Sequence, residues 1–207
     1  MKKIFLIFLF TVFGITYAQN IQFLGGVNSN NDFVNFATVE FYKTQECGSI
    51  YYVTDLKISK DGFSEAYTEI SKYWNINKLG SLTVQYNVGI NKYFQIKPVY
   101  LAGISKSFSY DKFNIQFDAM YHYQVECTSE EKTHGYQITT IFSQDFKKMQ
   151  YSGYLDFWNS KYFTFEPQGW WKFSKRVWAG LEWRASNYDL YGDYENYFMF
   201  GFKYNLE

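Results

Sequence analysis

Phe113-Asn114-Ile115-Gln116-Phe117-Asp118-Ala119-Met120-Tyr121-His122-Tyr123 sorts its side chains by parity. Phe113, Ile115, Phe117, Ala119, Tyr121 and Tyr123 share one face, and Asn114, Gln116, Asp118, Met120 and His122 share the other. Successive side chains of an extended chain point to opposite sides, so this is the period of a strand with one apolar and one polar face. The same sorting recurs in Leu82 to Ile90, whose faces read Leu, Val, Tyr, Val, Ile and Thr, Gln, Asn, Gly. It recurs again near the C-terminus, where Phe198, Phe200, Phe202, Tyr204 and Leu206 oppose Tyr197, Met199, Gly201, Lys203 and Asn205.

Turn-like clusters divide the rest of the chain into similar segments. Strands are expected at 20–28, 33–42, 48–58, 62–74, 80–90, 97–108, 112–124, 134–143, 149–158, 162–174, 176–187 and 195–206. Twelve is an even number, which returns both ends of a closed sheet to one side, and tilted strands of about 9–11 residues are what a bilayer requires. The expected fold is therefore all-β: a single closed antiparallel transmembrane β-barrel of about twelve strands in up-and-down order.

Composition narrows the alternatives. The 207 residues include 22 Phe, 21 Tyr and 6 Trp but only 2 Pro and 2 Cys, which excludes collagen-like, disordered and disulfide-scaffold classes. Acids and bases cancel at 20 each, so no charge excess argues for a nucleic-acid partner. A mean hydropathy of −0.34 argues against a bundle of membrane-spanning helices. A soluble β-sandwich has little use for so many tyrosines alongside long strands, and a secreted eight-stranded barrel would put its apolar face inside. Aromatic pairs crowd the strand ends, at Tyr51 and Tyr52, Tyr73 and Trp74, Tyr93 and Phe94, Tyr162 and Phe163, and Trp170 and Trp171. Rings with a polar tip suit the membrane–water boundary, and these pairs are expected to form girdles there.

Lys2 and Lys3 precede an apolar run from Ile4 to Ile15, then Thr16-Tyr17-Ala18 and the polar Gln19-Asn20. This is the layout of a secretory signal peptide, and the run is too short for a membrane anchor. Residues 1–18 are expected to be removed, leaving a barrel over residues 19–207 that starts at Gln19. Neither cysteine is placed for lipid attachment at that junction. The expected location is the bacterial outer membrane, with the lipid bilayer as the main partner.

For a barrel in lipid the polar face lines the interior. That rule puts Glu40, Asp55, Glu65, Glu69, Asp118, Asp156, Glu166 and Glu182 inside, with Lys57, Lys172, Arg176, Arg184 and Lys203: eight acids against five bases. Tyr67, Gln85, Asn87, Gln116, His122, Gln137, Tyr154, Trp158, Gln168 and Trp178 complete the lining, a surface for polar solutes. The lumen-lining candidates for solute binding are Asp55, Tyr67, Glu69, Gln85, Asn87, Asp118, His122, Tyr154, Asp156, Trp158, Glu166, Glu182 and Arg184. Paired lumen charges are the simpler reading of Glu65 and Glu69 than a catalytic dyad. Gly89, Ser152 and Gly180 on interior faces favour a narrow passage over a solid plug. Pro167 cannot donate a ladder hydrogen bond, so a bulge is expected there.

Nothing in the sequence points to an enzyme or a cofactor. His122 and His134 are the two histidines, and His122 falls on the interior face, whereas a Ser/His hydrolase of this class would carry its histidine on the lipid side. No Walker loop, calcium loop or zinc-binding His/Cys spacing occurs. Cys47 and Cys127 are expected at opposite ends of the barrel, about 25 Å of membrane apart, and therefore unbridged.

Thr38-Val39-Glu40-Phe41-Tyr42, Gly48 to Asp55, Ala66-Tyr67-Thr68-Glu69-Ile70-Ser71 and Asp156-Phe157-Trp158 followed by Phe165-Glu166-Pro167-Gln168 carry a family resemblance. They resemble an uncharacterised family of bacterial outer-membrane barrels, which is similar in turn to the nucleoside-specific channel-forming protein Tsx. The resemblance implies a monomeric twelve-stranded barrel with a narrow passage whose aromatic and ionisable residues meet nucleosides. It singles out no nucleoside contact in this chain, which ends in Leu206-Glu207 and lacks the terminal aromatic common in such barrels. The expected function is a narrow channel for small polar solutes, nucleosides among them. The alternative is a closed barrel serving as a structural or accessory subunit of an outer-membrane assembly.

Overall fold

The computed structural model describes residues 19–76, 80–91, 95–124, 134–187 and 195–206. They form twelve strands: β1 (Asn20–Asn28), β2 (Phe33–Gln45), β3 (Gly48–Ser59), β4 (Gly62–Ile76), β5 (Gly80–Asn91), β6 (Gln95–Tyr110), β7 (Phe113–Gln124), β8 (His134–Asp145), β9 (Met149–Trp158), β10 (Tyr162–Lys172), β11 (Val177–Ser186) and β12 (Glu195–Asn205). Each pairs antiparallel with its neighbours in sequence, and β1 pairs with β12, so the sheet closes without an edge. Closure is what allows a sheet to sit in hydrocarbon, because every backbone polar group finds its partner within the ring.

The alternation read from the sequence sets the two surfaces. On β12, Phe198, Phe200 and Phe202 are 54–61% exposed on the outside, while Tyr197, Met199 and Lys203 between them are buried inside. On β7, Phe117 and Tyr121 are exposed, and Asp118 and His122, each 1% exposed, face the lumen. Ile104 and Leu181 continue the apolar outer surface at 63% and 64% exposure. A continuous apolar band with the polar groups inside is the arrangement of a barrel whose outer solvent is lipid.

Tight turns join the strands. Asn159 and Ser160 both take positive φ, 53° and 54°, between β9 and β10, the left-handed conformation of a short hairpin turn. Gly62, at φ 98°, opens β4 where a β-carbon would be strained.

Pro167 behaves differently from expectation. On both sides of Glu166 and Pro167 the β10–β11 register is the same, Phe165 opposite Ala185 and Gln168 opposite Glu182, so the ladder is interrupted there without a bulge. Pro167 stays in register with Gly153 on β9. A register shift does occur beside the other proline, Pro98, where Asn87 pairs with Val99 and Gly89 pairs with Ile96. An extra residue in one strand absorbs the missing donor locally, whereas at Pro167 the neighbouring strands hold the register on both flanks. A second shift lies between Lys57 and Ile58, opposite Ser64.

Two further expectations are corrected. Arg176 lies in the exposed turn between β10 and β11 and does not line the lumen. The strand-end aromatic pairs are not simple girdles either, because adjacent residues in a strand cannot share a face. Tyr51 and Tyr73 line the lumen cavity and Trp170 is fully buried inside, whereas Trp74 and Trp171 are exposed outside. Cys47 is a free, exposed thiol. Cys127, Tyr93, Phe94 and the tyrosine-rich stretch 188–194 lie outside the described residues.

Candidate functional site: the lumen

The lumen has a filled side and a hollow side. On the filled side Leu24, Val34, Phe36, Trp170, Tyr197 and Met199, from β1, β2, β10 and β12, pack into a small apolar core with Trp178 against it. Gly180 makes room for the indole of Trp170 and the backbone before it: a Cβ at Gly180 would stand 2.4 Å from the Gly169 carbonyl oxygen and 2.5 Å from Cε3 of the ring. The small residue therefore serves the packing of a large one and does not widen a passage. The ammonium of Lys203 lies between two indoles, 4.5 Å from the centre of Trp170 and 4.7 Å from that of Trp178, and donates to Oε1 of Gln150 on β9 at 3.2 Å. Lys172 reaches the Trp178 ring at 4.6 Å and Asp145 at 3.0 Å. Cation–π contacts gain strength where water is excluded, which is how this side holds two ammonium groups.

The hollow side is a cavity of about 320 Å³ that reaches the end of the barrel where Gln124, Trp158 and Ser186 terminate their strands. All thirteen sequence candidates line it: Asp55, Tyr67, Glu69, Gln85, Asn87, Asp118, His122, Tyr154, Asp156, Trp158, Glu166, Glu182 and Arg184. Eight carboxylates and three basic groups, Lys57, Lys97 and Arg184, face this space. The sequence reading missed Lys97, Thr38, Thr139, Thr164, Tyr51 and Tyr73, which also line it. Parity along each strand was the available signal for all of them. The tyrosines were misread because an aromatic at a strand end suits both the headgroup region and a lumen.

Arg184 on β11 is the hub that crosses the lumen. Its guanidinium meets Asp55 of β3 at 3.2 Å, Glu166 of β10 at 2.9 Å and Glu182 of its own strand at 3.2 Å, and lies 4.7 Å from the Phe36 ring centre. The fork of donors in a guanidinium suits several carboxylates at once, which a lysine could not satisfy in this geometry. Thr38 donates to Asp55 at 2.5 Å, and Gln168 to Glu182 at 2.7 Å. Lys57 donates to the hydroxyl of Tyr197 at 2.7 Å and lies over that ring at 4.9 Å.

The other carboxylates are held by neutral donors. Ser71 donates to Glu69 at 3.3 Å, Tyr73 to Asp118 at 2.9 Å, Gln116 to both oxygens of Asp118, and Thr139 to Asp156. Register explains the last arrangement: Asp118 stands opposite Thr139, Thr139 opposite Asp156, and Asp156 opposite Thr164, one polar rung across four strands. Toward the cavity's open end, His122 and Trp158 stack at 5.2 Å between ring centres with 25° between planes, and Tyr162 meets Trp158 at 5.3 Å. Carboxylates, hydroxyls and a stacked aromatic face together can bind a small solute bearing hydrogen-bond donors and a flat or ring surface. Among the described residues no group of three or more His, Cys, Asp or Glu side chains could hold a metal ion.

Comparison with solved structures returns porins. The KdgM porin, solved in complex with disordered oligogalacturonate, aligns with a TM-score of 0.57 at 12% identity, over 91% of this chain and 99% of that one. The NanC porin aligns with a TM-score of 0.63 at 8% identity, over 90% of this chain and 100% of that one. These likenesses are of fold. No curated protein matches the sequence. The model of one family, described as a domain of unknown function (DUF5020), matches residues 18–182.

Proposed function

We propose that this chain, which belongs to the DUF5020 family, is a bacterial outer-membrane channel for small polar solutes. The observation that carries the reading is the cavity of about 320 Å³ inside a lipid-facing barrel, lined by carboxylates, amides, hydroxyls and stacked rings. That lining would be a poor choice for a solid interior, where each uncompensated charge is costly. The likeness of fold to two porins supports the same reading. Residues 1–18 act as the export signal, so the mature chain starts at Gln19, and the barrel works as a monomer. Nucleosides are one fitting solute: Tyr67, Tyr154 and Trp158 on the cavity wall offer ring surface for a base, and Glu69, Asp118 and Asp156 offer acceptors for ribose hydroxyls.

Planar-bilayer recording of the purified mature protein tests the channel. Stepwise conductance is expected, with transient block by adenosine if nucleosides enter, and a silent bilayer overturns the reading. The second reading, a closed barrel acting as an accessory subunit, is favoured by the filled side, where Lys203 bridges two tryptophans to Gln150. Silence in the bilayer together with copurification of a stoichiometric outer-membrane partner would establish it.

A further inference from the structure

We infer that the cavity selects for cationic solutes, small molecules bearing ammonium or guanidinium groups, and turns anions away. The inference deepens the channel reading and rests on it for its biological use, but it concerns the cavity itself. Two observations carry it. First, acids outnumber bases on the cavity wall, eight carboxyl groups against Lys57, Lys97 and Arg184, and three of those acids have no basic partner among the described residues. Arg184 is shared among Asp55, Glu166 and Glu182, three carboxyl groups to one guanidinium. Lys203 is held between Trp170 and Trp178, away from the cavity. Glu69, Asp118 and Asp156 face the cavity with only hydroxyl and amide donors on them, and among the described residues none of the three forms an ion pair.

Second, His122 lines the same cavity, is 1% exposed, and has an Nδ1 with no hydrogen-bond partner among the described residues. An unmet buried ring nitrogen carries a desolvation cost that a bound partner would relieve. Beside it, the indole of Trp158 also lines the cavity, and an indole attracts cations through its ring quadrupole. Glu69, Asp118 and Asp156 belong to no metal-holding cluster among the described residues, which suits an organic cation better than a bare metal ion. Low-dielectric walls lined by one sign of charge concentrate ions of the other sign.

The test reads Trp158 in the detergent-solubilised mature barrel with two collisional quenchers, caesium ion and iodide, each scaled to its action on free tryptophan amide. The Trp158 signal is isolated by subtracting the Trp158→Phe variant. The expected result is a scaled quenching constant several-fold higher for caesium than for iodide. Combining Glu69→Gln, Asp118→Asn and Asp156→Asn should bring the two together, with Asp156→Asn alone giving part of the change should the triple variant fail to fold. Equal quenching in the wild-type protein, or stronger quenching by iodide, overturns the inference. A silent bilayer would overturn the channel reading while leaving this result to stand or fall by itself. In conducting membranes the reversal potential under a potassium chloride gradient should lie on the cation side, and a value on the anion side also overturns it.

Discussion

On one side of the lumen Lys203 lies between two indoles and Leu24, Phe36, Tyr197 and Met199 fill the space, whereas on the other Glu69, Asp118 and Asp156 stand over a cavity with only neutral donors on them. Both sides obey the same parity rule, and both carry ionisable groups inside a barrel in lipid. They differ in side-chain volume and in how charge is compensated. The filled side holds its ammonium groups against ring faces, Lys172 with Asp145 as well, which makes it structural. The hollow side leaves Glu69, Asp118 and Asp156 without a basic partner among the described residues. A small barrel can thus be both stable and receptive by dividing its interior lengthwise.

The comparison can be broken most forcefully at the residue that joins the two sides. Arg184→Met leaves Asp55, Glu166 and Glu182 together without their cation, and should destabilise the barrel by about 3–5 kcal/mol in urea unfolding from lipid vesicles. A loss below about 1 kcal/mol, the range of exposed pairs, would mean that water already screens the cluster and that the hub is not structural. A lipid-facing control comes next. Leu181→Arg, at an exposed position near the middle of β11, should cost about 2–4 kcal/mol in the same assay, and a neutral outcome would undo the assignment of the outer surface.

Two smaller changes sharpen the contrast between the sides. Gly180→Ala drives a methyl into the Trp170 ring and should cost about 1–3 kcal/mol, accompanied by a change in near-ultraviolet circular dichroism as the indole shifts. A silent Gly180→Ala would mean that the filled side is loosely packed. Thr139→Val removes one donor from Asp156 on the hollow side, and about 1 kcal/mol is expected there because a mobile cation or water can take over the vacated role. A loss as large as that of Arg184→Met would place the hollow side among the structural elements.

Much of this was legible in the sequence because a strand in lipid tolerates few exceptions to period two. Strand number follows from parity and the turn-like clusters together, parity places thirteen candidates on the cavity wall, and the observed strand limits fall close to the expected ones. Parity says which residues point inward but not how far they reach. Whether Gly180 widens a passage or receives Trp170 depends on a ring from the neighbouring strand, and register across strands is not written in one strand's alternation. Arg176 was misplaced because a polar residue at the end of an alternating run fits a turn as well as a wall. The Pro167 expectation treated one missing donor as enough to shift a register that ten β9 rungs and seven β11 rungs hold fixed.

The seam between β1 and β12 has a consequence for how such a chain is made. Its nine rungs, from Asn20 opposite Asn205 to Asn28 opposite Tyr197, join the most distant parts of the described chain. Until those rungs form, the growing sheet has two raw margins whose amides would meet acyl chains with nothing to accept them. Insertion and closure must therefore be one concerted event, or be chaperoned by a surface that lends a temporary strand to each margin. The β1–β12 seam then acts as the zip that commits the barrel to the bilayer.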